Sequence, residues 1–302
     1  MRMLQRVAIV GVTGFVGHGL PTLFAEKGIA VTGVSRSANG SLPEVDRWQT
    51  PDALDFSGHD AVINLAGEPI DRRWTEKSKR LFHESRVGVT NRVVAALAKL
   101  PEHDRPKVLV NASAIGIYGD RGEEILNETA CPGSDYLAAL CSDWEDAAHD
   151  AGSLGVRVVC LRIGVVLGKN GAAFEKLRTI FKLGIGGRLG SGLQWMPWIH
   201  VDDLRAAIVH TVLSDSLAGP VNGTAPYPER NRDLTRKFAA ALHRPAIFPV
   251  PGFVLRLVLG EFSTALLASH RVLPTALDAD GFQFRYPTLE TALADLVRTS
   301  PK

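Results

Sequence analysis

Arg6-Val-Ala-Ile-Val-Gly11-Val-Thr-Gly14-Phe-Val-Gly17 is the stretch that decides how this chain is read. Its first five residues are a short apolar, β-branched run, the mark of a strand covered on both faces. Three glycines at a spacing of three follow at once and open a helical segment running to about Lys27. The glycines divide the mechanics between them. Gly11 permits a tight turn, Gly14 lets the backbone approach a pyrophosphate, and Gly17 lets the helix pack close to the sheet. The helix start offers N–H groups and the positive end of its dipole to phosphate. A loop that merely needs positive φ is the bland alternative. The position after a strand, with a second strand arriving on schedule, favours a dinucleotide site held by Gly11, Thr13, Gly14, Phe15, Val16 and Gly17.

Outward from this turn, strand-like and helix-like segments alternate. Ala30–Val34, Ala61–Leu65, Lys107–Asn111 and Val156–Ile163 read as strands, separated by helices ending near Leu100 and spanning Tyr136–Gly152. That alternation predicts an α/β fold with a Rossmann-type doubly wound parallel sheet. Beyond Gly168 the character changes. A glycine-rich loop, Gly184–Gly192, precedes Trp195–Val201 and a helix from Asp202 to about Leu213, and prolines then separate short helices. The expected division is a core over 1–168, completed by about 195–225, with a smaller C-terminal substrate lobe over 169–302 interleaved with it.

The second strand ends Val34-Ser35-Arg36-Ser37, where an NAD-binding chain usually carries an Asp or Glu for the ribose 2′-hydroxyl. A carboxylate repels a 2′-phosphate, whereas Arg36 pairs with one and Ser35 donates to it. NADP(H) is therefore the expected cofactor, against the plainer reading of Arg36 as a solvated strand-end residue. Leu65, Ala66 and Gly67 close the next apolar strand where the chain passes the adenosine, and their small size suits close approach.

The G-x-x-G-x-x-G spacing resembles that of extended and atypical short-chain dehydrogenases/reductases. Longer strings carry the likeness further: Asn64–Ile70, Arg72-Arg-Trp74, Ser85-Arg86 with Thr90, Ser113–Gly119, Arg162–Gly168, Gly186–Gly192 with Gln194, Trp198–Asp202 and Gly281–Arg285. Together they resemble the NAD-dependent epimerase/dehydratase-like proteins called "epimerase family protein", some of which carry a cell-division-inhibitor label. The resemblance implies an extended Rossmann fold, NADP(H) binding and an unassigned small-molecule substrate. It places Ser35, Arg36, Leu65, Ala66, Arg86 and Val166 along the cofactor. Arg86 also has a physical case, as a clamp for phosphate or a substrate acid, beside the alternative of a solvated helix arginine.

Short-chain dehydrogenases use Tyr-x-x-x-Lys, the lysine lowering the tyrosine pKa from about 10 and binding the nicotinamide ribose. In extended members a glutamate often lies four residues beyond the lysine. Registered on Glu145, this chain has Cys141 at the lysine position and Leu137 at the tyrosine position. Registered on Tyr118-Gly119, it has Ala114 where Ser or Thr is expected, with Ser113 one residue earlier. Tyr136 neighbours the tyrosine position, but one helical step turns it by about 100°, and an isolated phenol is only about 0.1% ionised at neutral pH. Ser113, Tyr118 and Tyr136 remain as catalytic candidates, with Glu68, Arg73, Gln194 and His200 expected in the substrate cleft. For His200 a satisfied structural histidine competes with the cleft reading. Two functions stand at this point: an oxidoreductase or epimerase-like enzyme with a rebuilt acid/base set, or a non-catalytic NADP(H)-binding sensor or regulator.

Composition narrows the field. The chain has 302 residues, 45% hydrophobic, with 34 Lys+Arg against 32 Asp+Glu, so no charge excess recommends a nucleic-acid partner. No run reaches the ~18 apolar residues of a membrane span. The three cysteines form no C-x-x-C, which fits reduced thiols in a cytoplasmic protein. The nine histidines lack H-x-H or H-E-x-x-H spacing, so no metal site is expected. No G-x-S-x-G elbow argues for a hydrolase. Oligomeric state is open, with homodimers paired through helices as one outcome.

Overall fold

The computed structural model describes residues 4–36 and 42–298; Ser37 lies outside them. Seven parallel strands form the central sheet: β1 (Arg6–Val10), β2 (Ala30–Val34), β3 (Arg47–Gln49), β4 (Ala61–Asn64), β5 (Val108–Ala114), β6 (Arg157–Ile163) and β7 (Gly219–Gly223). Their spatial order is β3-β2-β1-β4-β5-β6-β7, so the order reverses between β1 and β4. Ligands bind outside the carboxyl ends of the strands at such a switch point.

The strand sequences show why the sheet is buried twice. Side chains alternate in direction along a strand. Val7 and Ile9 therefore enter one apolar cluster with Leu20, Phe24, Leu204 and Ile208, while Ala8 and Val10 enter another with Val93, Leu97 and Ala148. The first cluster seats α1 (Leu20–Ala25) and a helix at Val201–Leu213; the second seats one at Val89–Ala98 and another at Tyr136–His149.

Two expectations need adjustment. The helix anticipated from Gly14 starts later: Gly17–Gly19 forms a 3-10 turn and α1 begins at Leu20, with Pro21 in its first turn. Glycines cost about 1 kcal/mol each in a helix interior, so this glycine-rich stretch stays a turn. The long helix ending near Leu100 is present, running unbroken through α2 (Glu76–His83) and α3 (Val89–Ala98), but with an unanticipated π turn (Glu84–Gly88) between them. The edge strand β3, only three residues long, has no apolar run to announce it.

Numbering continues with α4 (Tyr136–His149), α5 (Ala172–Lys182), α6 (Val201–Leu213), α7 (Asn231–Ala241), α8 (Gly252–Leu259), α9 (Phe262–Leu267), α10 (Thr275–Ala279) and α11 (Leu289–Val297). α5, α7 and α11 pack on each other through Phe174, Phe181, Phe238, Leu289 and Leu293, with Trp198 beneath. Between them the chain returns to the central sheet for α6 and β7. No helix among the described residues is long and apolar enough to cross a membrane.

Candidate functional site

The glycine turn has the form its sequence demands. Gly11 sits at φ +82°, in the left-handed region that favours glycine. A Cβ on Gly17 would lie 2.4 Å from the Gly11 carbonyl oxygen, so no other residue closes this turn. From α6, Arg205 holds the outside of the turn, donating from Nε to the Val16 carbonyl (3.0 Å) and from Nη2 to the Phe15 carbonyl (2.7 Å). Gly19 leaves room for it: a Cβ there would lie 2.5 Å from the guanidinium carbon. A cradle this tight, with no side chain projecting into it from the glycines, fits a dinucleotide pyrophosphate.

At the end of β2, the Thr13 and Ser35 hydroxyls lie 3.4 Å apart, and Arg36 projects into solvent. Arg36 pairs with Glu68 at 3.3 Å, and Glu68 also faces Arg72 at 3.5 Å. Glu68, expected from sequence in the substrate cleft, stands beside Arg36, with its backbone N–H donating to the Ser85 hydroxyl.

The end of β4 is held by a buried polar chain. Asn64 donates to the Asn111 and Thr90 side chains, Trp144 donates to Thr90, and Asn64 Oδ1 accepts from the Ala66 N–H. Of the expected cofactor contacts, Val16, Leu65 and Val166 are half-buried against one apolar cluster, whereas Ala66 packs against the other. Arg86 sits inside the π turn, a feature frequent at functional sites. Its Nη2 donates to the Glu68 carbonyl (2.9 Å) and its guanidinium lies 5.2 Å over the Trp144 ring, close against Gly67. It is no solvated helix arginine. Burial pulls its pKa below the ordinary arginine value, opposed by Cys141, Tyr136 and Glu68 nearby.

Cys141 and Leu137 complete the departure from the usual trio. The Cys141 thiol is buried, and burial pushes its pKa up to about 12, so it stays protonated. Leu137 packs on Gly116. Ser113 and Tyr118 belong to a buried network and not to an open cleft. Ser113 donates to Glu145 (2.6 Å), and Arg162 makes a two-point pair with Glu145 at 2.9 Å on each arm. Arg162 also donates to the Tyr118 hydroxyl (3.0 Å), which donates to Asn222 (2.7 Å). Each of these groups thus has a partner inside the fold, as buried charges require.

Tyr136 lies elsewhere, half-buried between Trp74 and Lys79, whose Nζ is 4.7 Å from its ring centre. Burial raises its phenol pKa, with Arg86 opposing. Arg73 spans the seam between core and C-terminal lobe, donating to the Leu257 carbonyl at 3.4 Å. The Gln194 and His200 side chains are buried, and His200 also lines a cavity that opens beside Thr13, Gly14 and Phe15 of the glycine turn. Gln194 donates to the Leu189 carbonyl (3.1 Å), holding the glycine-rich loop. His200 caps α6 through Nδ1, which accepts from the Asp202 N–H, and stacks on Tyr286. Among the described residues, no group of His, Cys, Asp and Glu is placed to hold a metal.

Comparison with known proteins agrees with this geometry. The family model described as "NAD dependent epimerase/dehydratase family" matches residues 7–222, and a domain of unknown function matches residues 250–296. The chain belongs to the NAD-dependent epimerase/dehydratase family. The chloroplastic SDR39U1 homologue of Arabidopsis thaliana, an epimerase family protein, is 37% identical over 97% of this chain and 86% of its own length. The epimerase family protein YfhF of Bacillus subtilis is 35% identical over 97% of this chain and 98% of its own. Among solved structures, the human epimerase family protein SDR39U1 with NADPH superposes with a TM-score of 0.88 at 34% identity, covering 97% and 99% of the two chains. A nucleoside-diphosphate sugar epimerase from Corynebacterium glutamicum gives 0.78 at 32% identity, over 97% of this chain and 58% of that one.

Within this epimerase-family chain, two features escape a reading of the sequence: Arg205 and the Glu145–Arg162 pair. Arg205 acts on a turn 189 residues earlier, and no local pattern marks it. Glu145 enters the sequence reading only as a register mark, since it stands among other acidic residues, Asp143 and Asp146, and nothing local singles it out as buried.

Proposed function

We propose that this protein binds NADP(H) in preference to NAD(H) and is an oxidoreductase or epimerase-like enzyme with a rebuilt acid/base set. The observation that carries the reading is the pairing of an intact glycine cradle with Arg36 and Ser35 at the end of β2, a strand end that itself carries no carboxylate, the Glu68 that meets Arg36 coming from beyond β4. The human relative's structure with NADPH supports it. Bound nicotinamide supplies a hydride donor or acceptor. Gly11, Gly14 and Gly17 admit the pyrophosphate, Arg36 and Ser35 meet the 2′-phosphate, and Leu65, Ala66 and Val166 take the apolar face of the cofactor. Arg86 supplies the fixed cation that lysine gives elsewhere, reaching the neighbourhood of Cys141 from the π turn and not from α4. Tyr136 keeps its proton at neutral pH and serves as a donor, not a base.

The deciding experiment incubates the protein with NADPH deuterated at the nicotinamide C4 and a panel of carbonyl and sugar-nucleotide substrates. Stereospecific transfer of deuterium to one substrate class supports the enzyme. A second reading, a non-catalytic NADP(H) sensor, is favoured by the burial of Ser113 and Tyr118 in a closed network. Deuterium retained across the whole panel, with a partner protein captured only when NADPH is present, would establish that reading instead.

A further inference from the structure

A second cavity, remote from the glycine turn, lies wholly in the C-terminal lobe. It has a volume of about 650 Å³ and is lined by Arg188, Arg232, Arg236 and Arg244 over a floor that includes Ala239, Ala246 and Pro249. The chain as a whole carries a net charge of only +2, yet four arginines share this wall. Among the described residues, Asp233 is the carboxylate that reaches any of them, at 3.5 Å from Arg232 and 3.4 Å from Arg236. Arg188 donates to the Gly190 and Ser191 carbonyls, and among the described residues neither Arg188 nor Arg244 has an acidic partner.

The fold holds these charges close together. Gly192, at φ +71°, lets Arg188 and Arg232 meet: a Cβ there would lie 3.2 Å and 3.0 Å from theirs. Arg232 and Arg236 stand one turn apart on α7, a like-charge spacing that destabilises a helix left to itself. At the end of α7, His243 takes φ +52°, a conformation usually left to glycine. Its N–H bonds Ala240 and that of Arg244 bonds Ala239, folding Arg244 back toward the same wall. The loop that carries Arg188 is fixed in turn, with Val250 donating to the Arg188 carbonyl and the Val250 carbonyl accepting from Gly190. This wall is built before any ligand arrives.

We propose that this cavity binds an organic phosphate with an apolar body. Arginine forks match phosphate oxygens two at a time. A phosphate monoester carries about 1.5 to 2 negative charges near neutral pH, close to the unpaired charge of the wall, which a single carboxylate is not. The alanine, isoleucine and proline floor then covers hydrocarbon, and about 650 Å³ is more than a bare anion fills. None of its lining residues belongs to the glycine turn, so the site is separate from the cofactor's.

The test uses n-octyl phosphate below its micelle concentration, titrated by calorimetry into the full chain with and without saturating NADPH. Inorganic phosphate and octanol are run beside it, as are vesicles of neutral and of anionic phospholipid. Octyl phosphate should bind at least tenfold more tightly than inorganic phosphate or octanol, unchanged by NADPH. The R236Q/R244Q variant should lose at least tenfold while its melting temperature and NADPH affinity hold. Binding of free octyl phosphate points to a soluble ligand, and binding of anionic vesicles alone points to a lipid headgroup. No binding of either, displacement by NADPH, or binding unaffected by R236Q/R244Q would overturn the proposal.

Discussion

Arg36 and Glu68 show how one residue pair carries discrimination. The pair is exposed on the arginine side, and such pairs are worth about 0.2–1 kcal/mol. On the proposed placement, a 2′-phosphate would compete with Glu68 for the same guanidinium and be repelled by the same carboxylate. Glu68→Gln should therefore tighten NADPH, by up to about fivefold on that scale, and leave NADH nearly unchanged in a fluorescence titration. An equal gain for both cofactors would place Glu68 away from the 2′ position. Arg36 stands out in the sequence as a candidate because strand-end chemistry is local. Its partner does not, since Glu68 lies 32 residues away and only the β1–β4 switch brings the two together.

At the scale of elements, two supports hold the site from outside. Arg205 ties α6 to the glycine turn through two carbonyls, and charged hydrogen bonds contribute about 1.5–3 kcal/mol. Arg205→Ala should weaken NADPH binding by about tenfold or more, seen as a rise in Kd with the far-UV spectrum intact. Arg205→Lys should fail to restore it, because an ammonium has no fork to span Phe15 and Val16. Beneath the ends of β5 and β6, the Glu145–Arg162 pair is a buried one. Removing one member strands the other charge, so Glu145→Gln should cost about 3–5 kcal/mol of unfolding free energy by denaturant titration. A loss below about 1 kcal/mol would show that water reaches the pair. Strands with near-continuous apolar runs were readable from sequence. The π turn was not, because it is held by tertiary contacts such as Arg86 on the Glu68 carbonyl and the Trp144 ring.

The whole molecule adds a pH dependence. His59, His200 and His270 are buried, and burial lowers the pKa of each below the ordinary histidine value. In the unfolded chain they take up protons as pH falls past about 6.5, while the native state resists. Stability should thus be full above that pH and fall below it, by up to about 1.4 kcal/mol per pH unit for each histidine that remains neutral in the fold. Denaturation on either side of about pH 6.5 checks this; equal midpoints would contradict it. The fold class was readable from the alternation of apolar strands and helices, and the cofactor turn from three glycines. The burial of Ser113, Tyr118, Gln194 and His200 was not, since sequence shows which groups can react but not which ones find partners inside the fold, as Ser113 does in Glu145 and Tyr118 in Asn222. The most direct test of the account is a paired titration of cofactor-stripped wild type and Arg36→Ala with NADPH and NADH. The account predicts at least tenfold tighter NADPH for wild type, and a loss of about 10- to 150-fold for NADPH alone in the variant. Equal affinities in wild type, or an equal loss for both cofactors, would contradict it.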